Sequence, residues 1–160
     1  MNIRVGTGFD AHAFGPGDSV ALGGLRIAHT RGVVAHSDGD VLLHALCDAL
    51  LGAIGLGDIG QHFPDSDPQW KGVASERFVT AVMLMLKQRG YAVGNADITL
   101  LAQLPRIAAH RDAIRMRVAQ LLDIEPGQVC IKATTTEYLG FIGRSEGLAA
   151  LATVLISRPP

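Results

Sequence analysis

Residues 35–54 read AHSDGDVLLHALCDALLGAI, a polar turn that leads into a long apolar run. Ser37 or Asp38 can cap the run Val41–Ile54 as a helix, because a short polar side chain accepts a hydrogen bond from a free N–H group of the first turn. Glycines at 55, 57 and 60 then end the helix. The turn 36–40 is therefore predicted to lie at a helix N-terminus, where an anion is favoured. An ordinary capped helix start, with Asp38 and Asp40 facing the helix dipole, is the alternative, and it leaves His36 unexplained.

Strands and helices interleave on either side of this helix. Strands are predicted at Ile3–Val5, Val20–Leu22, Leu25–Ile27, Ala96–Ala102, Val129–Ala133 and Leu148–Ser157, the second and third forming a hairpin around Gly23 and Gly24. Further helices are predicted at 75–90 and 110–122, and residues 57–68 have loop composition. The pattern predicts one α+β domain, residues 1–160, with a mixed sheet covered on one face by helices.

Composition excludes several classes of protein. The chain has 160 residues, of which 48% are hydrophobic, and its net charge is −1. That length suits one globular domain, and the charge favours neither nucleic acid nor an anionic membrane as a partner. The N-terminal residues lack a signal-peptide apolar region, and the longest apolar run, 148–156, is too short to span a bilayer. We expect a cytoplasmic protein whose Cys47 and Cys130 are small buried side chains.

Asp10, His12 and His44 are candidate metal ligands. Side chains two residues apart in an extended chain share a face, so Asp10 and His12 can point at one ion. Imidazole nitrogen and carboxylate oxygen suit a divalent transition metal, and three protein ligands leave a position open for catalysis. The spacing alone leaves a second interpretation open, in which His44 is an ordinary packed or surface residue on a helix.

Two other segments can bind an anion or a polyol. The run Thr134–Glu137 follows a strand, and its hydroxyl and N–H groups can hold phosphate oxygens while Glu137 binds a hard cation. It is also compatible with plain strand propensity followed by a cap. Asp58, Asp65 and Asp67 crowd one loop, where they can hydrogen-bond a polyol or form Asx turns.

Taken together, the segments resemble one enzyme family. GFDAHAF, AHSDGDVLLHAL, LGDIGQHFPDSDP, KATTTEYLGFIGR and Glu146-Gly147 are similar, in this order, to motifs of the 2-C-methyl-D-erythritol 2,4-cyclodiphosphate synthases, and they span nearly the whole chain. The resemblance implies an α+β homotrimer around a threefold axis with active sites between subunits. It also implies release of CMP from 4-diphosphocytidyl-2-C-methyl-D-erythritol 2-phosphate by attack of the 2-phosphate on the β-phosphate.

The resemblance carries roles onto individual residues. Asp10, His12 and His44 match ligands of Zn²⁺, Glu137 matches the contact of a second ion, Mg²⁺ or Mn²⁺, and His36 and Thr135 match groups that stabilise the transition state. The matching substrate contacts are Asp10, His12, His36, Ser37, Asp58, Ile59, Gly60, Phe63, Pro64, Asp65, Ser66, Asp67, Ala102, Gln103, Leu104, Pro105, Arg106, Ile107, Ala108, Thr134, Thr135, Thr136, Glu137, Phe141 and Arg144. The family often has lysine and threonine where this chain has Arg106 and Ile142.

The family's reaction suits these residue types. It joins two phosphates that already carry negative charge, so divalent ions and N–H or O–H donors offset the repulsion. The phosphate nucleophile is already an anion, which agrees with the lack of an obvious Ser or Cys nucleophile with a base. A metal-dependent nucleotide phosphohydrolase and a non-catalytic trimeric module for an isoprenoid diphosphate are the alternatives.

Overall fold

The computed structural model describes residues 2–158, in which seven strands and five α-helices alternate. The strands are β1 (Ile3–Gly15), β2 (Ser19–Leu22), β3 (Leu25–Ala28), β4 (Gly32–Val33), β5 (Ala92–Leu101), β6 (Val129–Thr134) and β7 (Gly147–Ser157). The helices are α1 (Val41–Ala53), α2 (Ile59–His62), α3 (Glu76–Gln88), α4 (Arg111–Leu122) and α5 (Gly140–Gly143), with 3₁₀ turns at Pro68–Trp70 and Pro126–Gln128. The short α2 interrupts the segment 57–68 that was predicted to be a loop.

Five of the strands form one mixed sheet in the order β4-β1-β7-β5-β6. Only β5 and β6 run parallel, and the other neighbours are antiparallel. The predicted hairpin is confirmed as a separate two-stranded sheet of β2 and β3. The predicted α+β class with a mixed sheet is therefore confirmed.

The helices cover one face of this sheet. Helix α1 packs directly on β1 and β7, α4 packs against β6, and α3 packs against α1 and α4. Alternate side chains of β7, such as Leu148, Ala152 and Val154, are buried beneath them. Among residues 2–158, no helix combines the length and the apolar composition that crossing a bilayer requires.

The first strand is much longer than predicted. It extends to Gly15, so Asp10 and His12 lie within β1 rather than after it. Gly6 and Gly8 broke the apolar pattern on which the shorter prediction depended. They are glycines because α1 crosses β1 here: a Cβ on Gly8 would collide with the carbonyl oxygen of Ala45, and one on Gly6 with that of Ala49. This close approach brings His44 of α1 to the side chains of β1.

Replacing Gly8 by alanine should separate α1 from β1. The added methyl group meets backbone rather than a movable side chain, and overpacking of this kind costs about 3 kcal/mol of stability. Thermal or urea unfolding measures the loss. Gly52→Ala is the matched control, since its Cβ meets only the Thr7 carbonyl oxygen at 3.9 Å, and a helical alanine there adds about 0.5 kcal/mol. Equal stability of the two variants would contradict this packing.

The cap of α1 is Asp40, not Ser37 or Asp38 as predicted. Its Oδ1 accepts hydrogen bonds from the first turn of α1 and from Gly23 N–H at 2.9 Å, and its Oδ2 accepts from Gly24 N–H at 2.7 Å. Burial raises the pKa of the Asp40 carboxyl, although these backbone N–H groups act in the opposite direction. The same side chain therefore caps α1 and holds the β2–β3 turn against it, which fixes the residues before the helix.

The opposite face of the sheet carries exposed apolar side chains. They include Val5 and Phe9 of β1 and Leu151 of β7, whose exposed fractions are 60%, 55% and 48%. Cys130 also lies on the exposed side of its strand, so the prediction that both cysteines are buried is wrong for Cys130 and right for Cys47. Alternation along β6 turns Val129 and Ile131 inward and Cys130 outward.

Candidate metal centre and substrate cleft

Three side chains from two elements converge at one end of the sheet. Asp10 Oδ2 lies 3.0 Å from His12 Nε2 and 3.1 Å from His44 Nδ1, and the two histidine nitrogens are 3.1 Å apart. Within residues 2–158 this is the only group of three or more histidine, cysteine or carboxylate side chains placed to share an ion. The predicted metal ligands are thus brought together. Asp10 and His12 share a face of β1 because alternate side chains of a strand point the same way, and His44 comes from α1.

The geometry fits a divalent transition metal. Tetrahedral zinc with bonds of 2.0–2.1 Å has ligand atoms about 3.3 Å apart, close to the three separations in this cluster. The side chains are mostly covered, with 26% of Asp10, 15% of His12 and 12% of His44 exposed. One carboxylate and two imidazoles form a three-ligand set of the kind that leaves a coordination position open to substrate.

The electrostatics of Asp10 favour the ionised carboxylate. Burial alone would raise the pKa of Asp10, but hydrogen bonds and charge interactions with His12 and His44 hold it well below its usual range. The carboxylate is therefore available as an anionic ligand at neutral pH.

His44 is also held through its second ring nitrogen. Nε2 lies 2.8 Å from Ser75 Oγ and 3.1 Å from Ser37 Oγ. The Ser75 hydroxyl donates a hydrogen bond to Asp38 Oδ1, and the Ser75 N–H donates to Asp38 Oδ2 at 3.0 Å. Neither Asp38 nor Ser75 was predicted in this role, since their use depends on the meeting of α1 with the start of α3.

A cleft of about 520 Å³ opens over the cluster. That volume suits a small organic ligand. Besides the three ligands, the predicted residues that line the cleft are His36, Ser37, Ile59, Gly60, Phe63, Pro64 and Asp65. Four lining residues were not predicted: Val34, Ala35, Trp70 and Phe78.

Aromatic rings form the floor of this cleft. Phe63 packs against Trp70 with centroids 5.1 Å apart and against Phe78 at 4.8 Å. Phe78 also lies 5.9 Å from the His44 ring. Trp70 is the chain's only tryptophan and lies two residues after the predicted loop 57–68, a position that could have indicated its place here.

Three of the substrate contacts predicted in the segment 58–67 lie outside the cleft lining: Asp58, Ser66 and Asp67. Asp58 caps α2 by accepting from Gln61 N–H at 3.0 Å, and Asp67 caps the following 3₁₀ turn by accepting from Gln69 N–H at 3.1 Å. These contacts fit the Asx-turn interpretation, and any role in substrate binding stays a prediction. Asp48 of α1 was missed: its Oδ1 accepts from Ile59 N–H at 2.7 Å and ties the loop to α1.

The remaining predicted contacts form a second group at the ends of β5 and β6. Because these strands are parallel, residues 102–108 and 134–137 leave the sheet at one end, and Ala102 N–H donates to the Thr134 carbonyl at 3.1 Å. Thr135 Oγ1 donates to Glu137 Oε1 at 3.1 Å, and Glu137 has a left-handed φ of 51°. Both Thr135 and Glu137 are exposed or nearly so.

Other members of this second group differ in exposure. Ile107 is buried in the core and Leu104 is 55% exposed. Phe141, in α5, is exposed, and Arg144 follows α5 and pairs with Glu146, Nε to Oε1 at 2.9 Å. Of the predicted group, Ile107 is therefore the least accessible to a ligand.

The two groups do not meet within one chain. Ala11 pairs with Ala149, Ala149 with Leu101, and Leu101 with Thr134, so one row of the sheet joins them. With strands about 4.8 Å apart, Thr134 lies about 14 Å from Ala11. No residue of 102–108 or 134–137 lines the cleft. The predicted site is therefore divided into two halves, which share one end of the sheet.

Comparison with known proteins gives one consistent family. The model of the YgbB family matches residues 3–157. A Xylella fastidiosa protein named 2-C-methyl-D-erythritol 2,4-cyclodiphosphate synthase is 58% identical over 158 residues, which cover 99% of this chain and 90% of that protein. A Xanthomonas axonopodis protein of the same name is also 58% identical, over 99% of this chain and 95% of its own length.

Solved structures agree with the sequence comparison. IspF from Plasmodium falciparum, solved as a CDP complex, superimposes with a TM-score of 0.87 at 33% identity, covering 99% of this chain and 98% of that one. The bifunctional IspDF from Campylobacter jejuni gives a TM-score of 0.94 at 42% identity, over 99% of this chain and 43% of that chain. The fold of nearly the whole of this chain is thus shared with these proteins, although the chain spans less than half of the bifunctional one.

Proposed function

The chain belongs to the YgbB family, and from this membership we propose that it is a 2-C-methyl-D-erythritol 2,4-cyclodiphosphate synthase of isoprenoid precursor biosynthesis. The single observation that carries the proposal is the cluster of Asp10, His12 and His44 at the base of a cleft lined by His36 and Ser37. The same residues were assigned to ligand and substrate contacts from the resemblance.

The proposed reaction is intramolecular. In 4-diphosphocytidyl-2-C-methyl-D-erythritol 2-phosphate, an oxygen of the 2-phosphate forms a bond to the β-phosphorus as the bond from that phosphorus to the CMP oxygen breaks. The products are 2-C-methyl-D-erythritol 2,4-cyclodiphosphate and CMP, which classes the enzyme as a phosphorus–oxygen lyase of the methylerythritol phosphate pathway. Holding the two phosphates in line can lower such a barrier by about 7–11 kcal/mol in the best cases.

The metal assignments come from the resemblance, and the donor chemistry agrees with them. Asp10, His12 and His44 would hold Zn²⁺, and Glu137 would hold Mg²⁺ or Mn²⁺ at the diphosphate. When bound, these ions neutralise phosphate charge that would otherwise repel the nucleophile. The carboxylate of Glu137 is exposed, so the diphosphate can supply the remaining oxygen ligands.

The protein's own groups bind and orient the substrate. His36, just before the N-terminus of α1, donates a hydrogen bond to phosphate oxygens, and Thr135 supplies a hydroxyl to the developing charge on the β-phosphate. The loop 58–67 holds the erythritol against the aromatic floor, and residues 102–108 hold the cytidine.

We propose a homotrimer in which each active site lies between neighbouring subunits. Two observations support this assembly: the two halves of the site are about 14 Å apart in one chain, and the sheet face opposite the helices exposes Val5, Phe9 and Leu151. Apolar surface of this kind is typical of a subunit interface. In the trimer, the segment 134–137 of one subunit completes the cleft of its neighbour.

The proposed partners are the small-molecule substrate and two further copies of the chain. A net charge of −1 provides no basic surface for nucleic acid or anionic lipid. We place the enzyme in the cytoplasm, where its two cysteines remain free thiols.

Thr135→Ala is expected to slow turnover while zinc content stays unchanged. Removing one donor to transition-state charge typically costs about 10²-fold in rate, and Thr135 is not among the clustered metal ligands. CMP release at saturating substrate and metal analysis of the same preparation measure the two effects. Thr80→Ala, which removes an exposed hydroxyl from α3, is the control. A wild-type rate for Thr135→Ala would remove Thr135 from the transition-state role.

Turnover in ¹⁸O-labelled water separates the synthase from a phosphohydrolase that uses the same ligands. The synthase joins two substrate phosphates, so its products contain no solvent oxygen. Mass spectrometry is expected to find unlabelled CMP and an unlabelled cyclic product. One ¹⁸O atom in a linear product would identify a hydrolase instead.

A further inference from the structure

Ser75 occupies the position of a helix cap without acting as one. It stands directly before α3, yet its side chain makes no hydrogen bond to the first turn of that helix. The side chain is fully buried, one of only two buried polar or charged residues in the part of the chain that the structure describes. A buried hydroxyl needs partners of its own, and those of Ser75 are His44, a candidate metal ligand, and Asp38.

The hydrogen bonds of Ser75 have a defined direction. A hydroxyl has one proton to donate, and this proton is directed to Asp38 Oδ1, since a carboxylate can only accept. The lone pairs of Ser75 Oγ are therefore left to accept, and His44 Nε2 lies 2.8 Å away. It follows that Nε2 keeps its hydrogen, so the hydrogen that Nδ1 shares with Asp10 is the one that a metal ion would displace, and the ring would then present the Nδ1 lone pair.

The hydroxyl of Ser37, which is also near Nε2, has no such fixed direction of hydrogen bonding. Ser37 Oγ is 3.1 Å from Nε2 and accepts Gly39 N–H at 3.2 Å. Its proton is not directed to a carboxylate, so Ser37 Oγ can accept from an Nε2–H group or donate to a bare Nε2. Ser37 therefore contacts His44 without fixing its tautomer.

We propose that Ser75 and Asp38 are positioning residues that fix His44 in the Nε2–H tautomer and so prepare its Nδ1 for metal binding. The inference rests on the proposed function, in which Asp10, His12 and His44 hold a divalent ion. Hydrogen-bonded partners behind a metal-binding histidine fix its ring and raise its basicity, and their loss typically weakens metal affinity about 10–100-fold.

Zinc binding by four proteins tests the inference: wild type, Ser75→Ala, Asp38→Asn and Ser37→Ala. Competition with a chromophoric chelator is expected to give a zinc Kd raised about 10–100-fold in Ser75→Ala and about tenfold in Asp38→Asn. The zinc Kd of Ser37→Ala should stay within about threefold of wild type, because this variant keeps the hydrogen bonds from His44 through Ser75 to Asp38. Unchanged affinity in Ser75→Ala, or an equal loss in Ser37→Ala, would overturn the proposal.

A spectroscopic measurement separates positioning from general destabilisation. In ¹⁵N-labelled, zinc-loaded wild type, the Nε2–H proton of His44 is expected to exchange slowly with water, and faster in Ser75→Ala and Asp38→Asn. Equal exchange in all variants would overturn the inference. Should Ser75→Ala not fold, Asp38→Asn, which keeps the shape of the side chain, provides the test.

Zinc binding by the wild-type protein distinguishes a failure of this inference from a failure of the proposed function. Wild type that binds no zinc would reject the metal centre and the positioning role with it. Wild type that binds zinc tightly, together with a Ser75→Ala variant of equal affinity and exchange, would reject the positioning role alone.

Discussion

His12→Ala is expected to lose bound zinc and to release CMP about 10³-fold more slowly than wild type, because a metal that stabilises phosphate charge contributes several kcal/mol to the barrier. Two ligand atoms would remain, Asp10 Oδ2 and His44 Nδ1, 3.1 Å apart. Two ligands hold a divalent ion far less firmly than three. Asp10→Asn should act similarly, since an amide is a weaker ligand without charge.

His110→Ala is the matched control for this prediction. His110 is exposed at the start of α4, so its loss removes an imidazole without touching the cluster. Metal analysis of each purified variant, CMP release and a thermal melt distinguish ligand loss from unfolding. A folded His12→Ala variant with full zinc content and wild-type turnover would show that the ligand assignment is wrong.

Mixed trimers of two inactive variants should regain activity. His12→Ala damages the cleft half of the site, and Glu137→Gln damages the half at the ends of β5 and β6. If each site takes one half from each of two neighbours, every trimer that contains both variants has one of its three sites with both halves intact. Activity near a third of wild type is then expected from the mixed trimers, although each variant alone is nearly inactive.

Co-expression of the two variants with different affinity tags, followed by purification through both tags, gives the mixed species. The reference is a mixed trimer of wild type and the His12→Ala/Glu137→Gln double variant, in which both substitutions lie in one chain. Activity no greater than the sum of the two pure variants would contradict a site shared between subunits. A monomeric mass in solution would contradict the trimer itself.

Much of the fold follows from local pattern. The hairpin at Gly23-Gly24, the helix from Val41 and the strand that begins near Leu148 were predicted because their apolar periods and turn residues agree with the tertiary structure. The length of β1 could not be predicted in this way. Gly6 and Gly8 lower strand propensity, and their reason, the approach of α1, is a contact between distant parts of the chain.

The residues of the candidate site also differ in whether local sequence could predict their place. The spacing of Asp10 and His12 is local, so the shared face could be predicted, whereas the arrival of His44 needed the resemblance to a family. Ser75 lies 31 residues from His44 in the chain and 2.8 Å from it in space. Nothing in the sequence around Ser75 distinguishes it from an ordinary helix cap, and only its buried hydrogen bonds reveal a different use.

The most direct test of the proposed synthase is ³¹P NMR of the purified protein with 4-diphosphocytidyl-2-C-methyl-D-erythritol 2-phosphate and Mg²⁺, with and without chelator. CMP is expected to appear together with two coupled signals of a cyclic diphosphate, and chelator is expected to abolish both. CMP beside a linear product, or no turnover by intact, metal-loaded protein, would contradict the proposed function.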